Sequence, residues 1–152
     1  MRLVVESPDR PDVVALVAAL DAWQDTLYPP ESRHALDLEA MRQPHVVFVV
    51  ARDDDDRAAG CVAVVLGPEG EGELKRLYVR PGSRGQGVAS RLIARLESEA
   101  RARGCDVVRL ETGPYQPEAI ALYDRHGYVR RGPFGGYADD PLSVFMEKRL
   151  VA

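Results

Sequence analysis

Between an apolar strand and a long helix the chain carries RPGSRGQGVASRL, residues 80–92. A helix that starts here presents unpaired backbone N–H groups and the positive end of its dipole. Gly85 and Gly87 lack a Cβ, so an anion can approach those amides closely. Arg80 and Arg84 add positive charge. A phosphate is the ligand such a loop suits best. The same residues also suit a glycine-rich strand-to-helix turn that holds nothing.

Which phosphate is decided by the flanking residues. A nucleoside-triphosphate loop needs G-x-x-x-x-G-K-S/T. Gly82 and Gly87 have the right gap, but Val88 stands where lysine is required. A dinucleotide fingerprint is nearer: GQGVAS follows a strand and opens a helix, and Glu111 ends the next strand. Against it, a serine replaces the third glycine. The preceding strand also carries Glu73, Lys75 and Arg76, whereas the first strand of such a unit is normally buried on both faces.

Other chemistries find less support. DDDDR at 53–57 has the composition of a metal cluster, but it lies between two strands and is most simply a solvated hairpin turn. His34, His45 and His126 are scattered, and Cys61 and Cys105 have no metal-ligand spacing. The two cysteines fall in or beside apolar segments and are expected as reduced, packed thiols of a cytoplasmic protein. No secretory leader and no apolar run of ~20 residues is visible, so no membrane partner is expected. The net charge of −4 speaks against a nucleic-acid partner.

The elements that must position this loop follow from periodicity. With 152 residues, 45% hydrophobic and 29% charged, the chain suits a single globular domain spanning 1–152. Residues 2–5 read as a strand. Asp12 is expected to cap a helix whose stripe is Val13, Leu16, Val17, Leu20, Trp23 and Leu27. YPP at 28–30 stops it, and Glu31–Met41 reads as a shorter helix. His45–Arg52 and 59–66 are buried strands. Glu73–Val79 alternates, with Glu73, Lys75, Leu77 and Val79 on one face and Leu74, Arg76 and Tyr78 on the other. A helix from about Gly87 to Arg103 buries Val88, Leu92, Ile93, Leu96 and Ala100. A strand at Val107–Glu111 and a helix from Pro117 to His126 follow. Strands near Tyr128–Arg130 and Ser143–Arg149 close the chain. The order β-α-α-β-β-β-α-β-α-β-β is that of an α/β domain with a mixed sheet.

Two blocks together resemble the GNAT superfamily of N-acetyltransferases. The first is ELKRLYVRPGSRGQGVASRLIARLESEARARG. Its core resembles the acyl-CoA motif Q/R-x-x-G-x-G/A, met by Arg84, Gly87 and Ala89. The second, PEAIALYDRHGY, is similar to the superfamily's A-x-x-L-Y-x-x-x-G-F/Y element. The resemblance covers about residues 45–150, and the β-α-α start also fits. It implies a single-domain α/β fold, with a mixed, mostly antiparallel sheet flanked by about four helices.

The resemblance also implies a reaction: acetyl transfer from acetyl-CoA, without a metal, to the primary amine of a small molecule, amino acid or peptide. The pyrophosphate would lie on the amides of Arg84, Gly85, Gln86, Gly87, Val88 and Ala89. The pantetheine arm would pair with Leu77, Tyr78 and Val79, where the family's strand bulges and splays from its neighbour. Gln116 stands where many members have asparagine and would reach the same arm. An amine of pKa ~10.4 must lose a proton before it attacks. Glu73 matches a general base of some relatives, and otherwise is a strand glutamate paired with Lys75 or an arginine. The Leu77 N–H would receive the oxyanion. Tyr123 matches the tyrosine that protonates the leaving thiolate; otherwise it is a core aromatic. The acceptor would sit by Trp23, Tyr28 and the YPPES segment, with Tyr137, Asp139 and Asp140 as a second wall. Those last residues equally suit ordinary turn chemistry. Relatives are often dimers, so a homodimer is one implied assembly. A non-catalytic CoA-binding sensor on the same fold is the alternative, with a dinucleotide oxidoreductase behind it.

Overall fold

Apolar runs at Val46–Arg52 and Ala58–Leu66 bury nearly every residue, because both faces of the sheet they build are covered. The computed structural model describes residues 1–150. Its strands are β1 (Arg2–Val5), β2 (Val46–Arg52), β3 (Ala58–Leu66), β4 (Glu71–Val79), β5 (Val107–Thr112), β6 (Val129–Arg131) and β7 (Val144–Arg149). They form one sheet in the order β1-β2-β3-β4-β5-β7-β6. All neighbours are antiparallel except β4 and β5. The helices are α1 (Pro11–Asp25), α2 (Leu38–Met41), α3 (Val88–Ala102) and α4 (Pro117–Arg125). Helices α3 and α4 pack on one face through Leu92, Ile93, Leu96 and Tyr123. Val13, Leu16 and Leu20 of α1 and Met41 of α2 cover the other face. The expected class, a mixed and mostly antiparallel sheet between helices, is the one observed.

Helix α3 buries the five residues its periodicity picks out. Helix α1 differs at both ends. It starts on Pro11, whose missing N–H falls where a helix leaves its first amides unpaired. Asp12 therefore does not cap it. Its carboxylate accepts from Arg52 at 2.8 Å and from the Ala58 N–H at 3.0 Å, so it ties the helix to the sheet. Trp23 leaves the buried stripe and is 40% exposed.

The second helix is the larger correction. Residues 30–32 form one 3₁₀ turn, 33–37 are irregular, and only Leu38–Met41 is helical, capped by Asp37. Tertiary bonds break the run. Arg33 reaches back to Asp21 and Asp25 on α1, and the Leu36 carbonyl accepts from Arg76 on β4. The 53–57 segment is a hairpin turn, in which Asp53 accepts from the N–H groups of Asp55 and Arg57.

Alternation in β4 holds only up to Lys75. Ala63 pairs with Lys75 but Cys61 with Tyr78, so β4 carries one extra residue there. Leu74 and Val79 consequently share the α3 core although they are an odd number of places apart, while Tyr78 turns to the α1 core. Arg76 takes the strained position at φ +61°. Its guanidinium holds Asp21 at 2.5 Å and the Leu36 carbonyl at 2.7 Å, and its own carbonyl accepts from the Cys61 thiol.

Candidate active site

Pairing between β4 and β5 ends at Leu74 and Leu110, yet β4 runs on to Val79 and β5 to Thr112. The strands part above that point, and a cleft of about 830 Å³ opens between them. This volume suits a sizeable organic ligand. The bulge lies on its wall. Arg76 and Leu77 have no partner in the β3 ladder, and β5 has already departed. A bulge at a cleft wall is where a backbone N–H can be turned toward an oxyanion.

The glycine loop forms one end of the cleft. Gly85 and Gly87 take φ of +77° and +76°, which only glycine adopts without strain, and a Cβ on either would meet nothing within 4 Å. That space lies over the start of α3, where amides and the helix dipole favour an anion. Arg84, Gly85, Gly87, Val88 and Ala89 line the cleft; Gln86 does not, and is exposed. The arginines act differently from expectation. Arg80 bonds Ser83 at 2.8 Å and Asp53 at 2.6 Å, and so fixes the loop against the β2–β3 turn. This contact holds the Asp53 carboxyl low, at about 2. Arg84 donates to the Val79 carbonyl at 2.9 Å and lies over the rings of Tyr78 and Trp23. The cradle is therefore mainly backbone. Arg125, at the end of α4, is a cation of the same cleft that sequence reasoning did not single out.

Leu77, Tyr78, Val79 and Gln116 all line the cleft, Gln116 from the position that caps α4. Tyr123 lines it as well, 5% exposed and edge-on to Tyr128. Burial pushes its hydroxyl well above the usual phenol range, with the charge of Glu111 adding to the effect, so it stays protonated at neutral pH. None of the hydrogen bonds among the described residues engages that hydroxyl.

Glu73 is placed otherwise. It lies off the lining of the cleft, accepts from the Tyr137 hydroxyl, and pairs with Lys75 at 3.3 Å. Lys75 also donates to Tyr137 and to the His34 carbonyl. The residue that does reach the cleft is Glu111, on the end of β5 that runs beyond its last pair with β4 and stays paired with β7. Ser143 donates to its Oε2 at 2.8 Å. Burial raises its carboxyl to about 7. The sequence offered it only as the acidic residue of a dinucleotide fingerprint, although the alternation of Arg109 and Glu111 already put both on one face.

The end of the cleft toward α1 is aromatic. Tyr28 stacks on Tyr115 at 5.4 Å and receives the Tyr115 N–H, and Trp23 stands beside them in the lining. Asp140 is occupied: it accepts from Ser32 and from the Leu142 N–H, both at 2.8 Å. That is turn chemistry, one of its two expected roles.

A parted strand pair, a bulge, and a glycine cradle at a helix start are the features expected of a CoA site, and the residues present fit one. Comparison with known proteins agrees. The model of the acetyltransferase (GNAT) family matches residues 16–128. The IAA acetyltransferase of Azospirillum brasilense is 48% identical over 146 residues, covering 95% of each chain. The uncharacterised N-acetyltransferase YsnE of Bacillus subtilis is 35% identical, over 99% of this chain and 100% of its own. A crystal structure described as an acyl-CoA N-acyltransferase from Klebsiella pneumoniae superposes with a TM-score of 0.85 at 44% identity, covering 99% of this chain and 97% of that one. Sequence, fold and cleft converge, and the chain belongs to the GNAT family of acetyl-CoA-dependent N-acetyltransferases.

Proposed function

We propose that the chain passes the acetyl group of acetyl-CoA directly to the primary amine of a small molecule, amino acid or peptide while both are bound. The observation that carries this reading is the continuity of the cleft. It runs from the glycine cradle, past the bulge at Arg76 and Leu77, to the aromatic pocket of Trp23, Tyr28 and Tyr115. A long thioester lying along β4 brings its carbonyl to the bulge, and an amine entering from the α1 side meets it there. Gly85, Gly87, Val88 and Ala89 hold the pyrophosphate in this reading, with the Gln86 amide alongside. Leu77, Tyr78, Val79 and Gln116 hold the arm. Tyr123 gives its proton to the departing sulfur. Glu73 braces Lys75 and Tyr137 beneath the acceptor.

The reaction uses residues 1–152 as a single domain. The cytoplasm suits it, because Cys61 and Cys105 are both free and buried thiols. Among the described residues no helix is long and apolar enough to cross a membrane. The test is an acceptor screen that reads free CoA thiol. Primary amines, amino acids and short peptides are offered with acetyl-CoA, and IAA is included on account of the Azospirillum relative's name. Thiol release that depends on one of the amines is expected. Acetyl-CoA binding with no release for any acceptor would instead leave a CoA-binding module without catalysis.

A further inference from the structure

From the placement of Glu111 at the mouth of the parted strands, we infer that this residue, and not Glu73, is the general base for the acceptor amine. The inference rests on the acetyltransferase reading above. Three features of the site carry it. The first is access. Glu111 lines the cleft on the end of β5 that β4 has left, whereas Glu73 lies below the last β4–β5 pair and off the lining. The second is bonding. Ser143 fixes one carboxylate oxygen of Glu111 and leaves the other without a protein partner, whereas Glu73 is engaged by Tyr137 and Lys75. The third is direction. Glu111 continues the face of β5 that carries Arg109, opposite the Val108 and Leu110 face packed under α3. Tyr123 belongs to that opposite core. Base and acid thus flank the gap from its two sides, one toward the acceptor and one toward the CoA sulfur.

Each proton has a place to go. Glu111 takes a proton from the ammonium, directly or through one water. The freed nitrogen lone pair forms the C–N bond to the acetyl carbon, and the C–S bond breaks, its electron pair leaving with sulfur. Tyr123 protonates that sulfur, and its phenolate recovers a proton from the amide nitrogen. Glu111 then releases its own proton to solvent. A base works best when its pKa lies near the working pH. Several groups face the Glu111 carboxyl. They are Glu73 and Lys75 from β4, Tyr123 from α4, Tyr28 after α1, and Tyr137 and Asp140 from the β6–β7 connection. Lys75 favours the charged form while Glu73 and Asp140 oppose it, and burial outweighs them all. The balance holds the carboxyl at about 7.

The experiment compares wild type, Glu111→Gln, Glu73→Gln and Ser143→Ala. It uses the amine found in the screen, and an NMR titration of ¹³C-labelled glutamate side chains. Acetyl-CoA must first raise the melting temperature of wild type and of Glu111→Gln; failure in the wild type would count against the acetyltransferase reading itself. With that secured, Glu111→Gln should lose 10²–10⁴-fold in kcat with acetyl-CoA affinity unchanged. The ascending limb near pH 7 should vanish in this variant and persist in Glu73→Gln. In Ser143→Ala the limb should move to higher pH, because the lost hydrogen bond favoured the charged carboxylate. The NMR titration should show one glutamate near 7 that is missing from Glu111→Gln, and this result needs no acceptor. Wild-type turnover in Glu111→Gln, loss of the limb in Glu73→Gln alone, or a Glu111 carboxyl titrating at ~4.3 would each overturn the assignment.

Discussion

Glu111 and Tyr123 both keep their protons longer than free side chains, and for both the first cause is burial. For Glu111 this has a consequence for stability. Its carboxyl sits at about 7 in the fold against 4.5 when free. Between those values the folded chain holds a proton that the unfolded chain has lost, so stability falls as pH rises. The contribution is complete below about 4.5, is shed up to about 7, and is absent above. Glu111→Gln removes this dependence. It should unfold at higher denaturant than wild type at pH 8, by on the order of 2 kcal/mol once screening is allowed for, and match it near pH 4. An equal difference at both pH values in chemical denaturation would show that the carboxyl is not desolvated. Tyr123→Phe keeps the ring against Tyr128 and deletes only the hydroxyl, so kcat should fall 10²–10⁴-fold while acetyl-CoA affinity holds. Isothermal calorimetry beside steady-state rates checks this, and unchanged rates would make solvent the proton donor. That Tyr123 lines the cleft was readable in advance because its motif is local. Glu111 was not, because VRLET has the look of an ordinary half-solvated strand. Ser143, Tyr137 and Asp140, which interact with its carboxylate, are brought in by a connection some 30 residues later.

At the level of elements, legibility followed how local each determinant is. Helix α3 was readable because its apolar stripe and the glycine before it lie within one stretch. The segment after α1 was not, because Arg33 and the Leu36 carbonyl have partners on α1 and β4 that no window contains. The bulge in β4 was expected from resemblance alone. Alternation gives no warning of it, since Arg76 is an unremarkable strand residue until Asp21 and Leu36 hold it at φ +61°. The loop before α3 carries its own prediction. At Gly87, with φ +76° and open space beyond, aspartate adds both left-handed strain and a charge that repels phosphate. Asparagine tolerates the same φ without the charge. Both variants should lose about 1 kcal/mol of stability, since each places a Cβ at that φ. Gly87→Asp should in addition bind acetyl-CoA at least tenfold more weakly than Gly87→Asn. Equal affinities by calorimetry would mean that no phosphate lies over this helix start.

The molecule as a whole is two unequal parts of one sheet joined at a single parallel seam. β1 to β4 with α1 and α3 form one part, and β5 to β7 with α4 the other. The seam between β4 and β5 is only four residue pairs long, from Glu71–Val107 to Leu74–Leu110. A ligand in the cleft touches both sides of it: the loop before α3 and the end of β4 that β5 has left on one, Gln116 and Tyr123 on the other. Binding should therefore do what the short seam cannot, and hold the upper ends of the two parts together. At 100 times its dissociation constant acetyl-CoA should add about 2.7 kcal/mol to the stability of the fold, with the melting temperature rising further as concentration rises. Neither ATP nor NADH should match it, because neither carries an arm to lie along Leu77–Val79. Hydrogen exchange gives the sharper test. Amides at the start of α3 and amides at the start of α4 should slow together and by similar factors when acetyl-CoA is added, although the two helices belong to different parts of the sheet. Protection confined to the α3 side would place the ligand on the loop alone and leave the parted strands without a role in holding it.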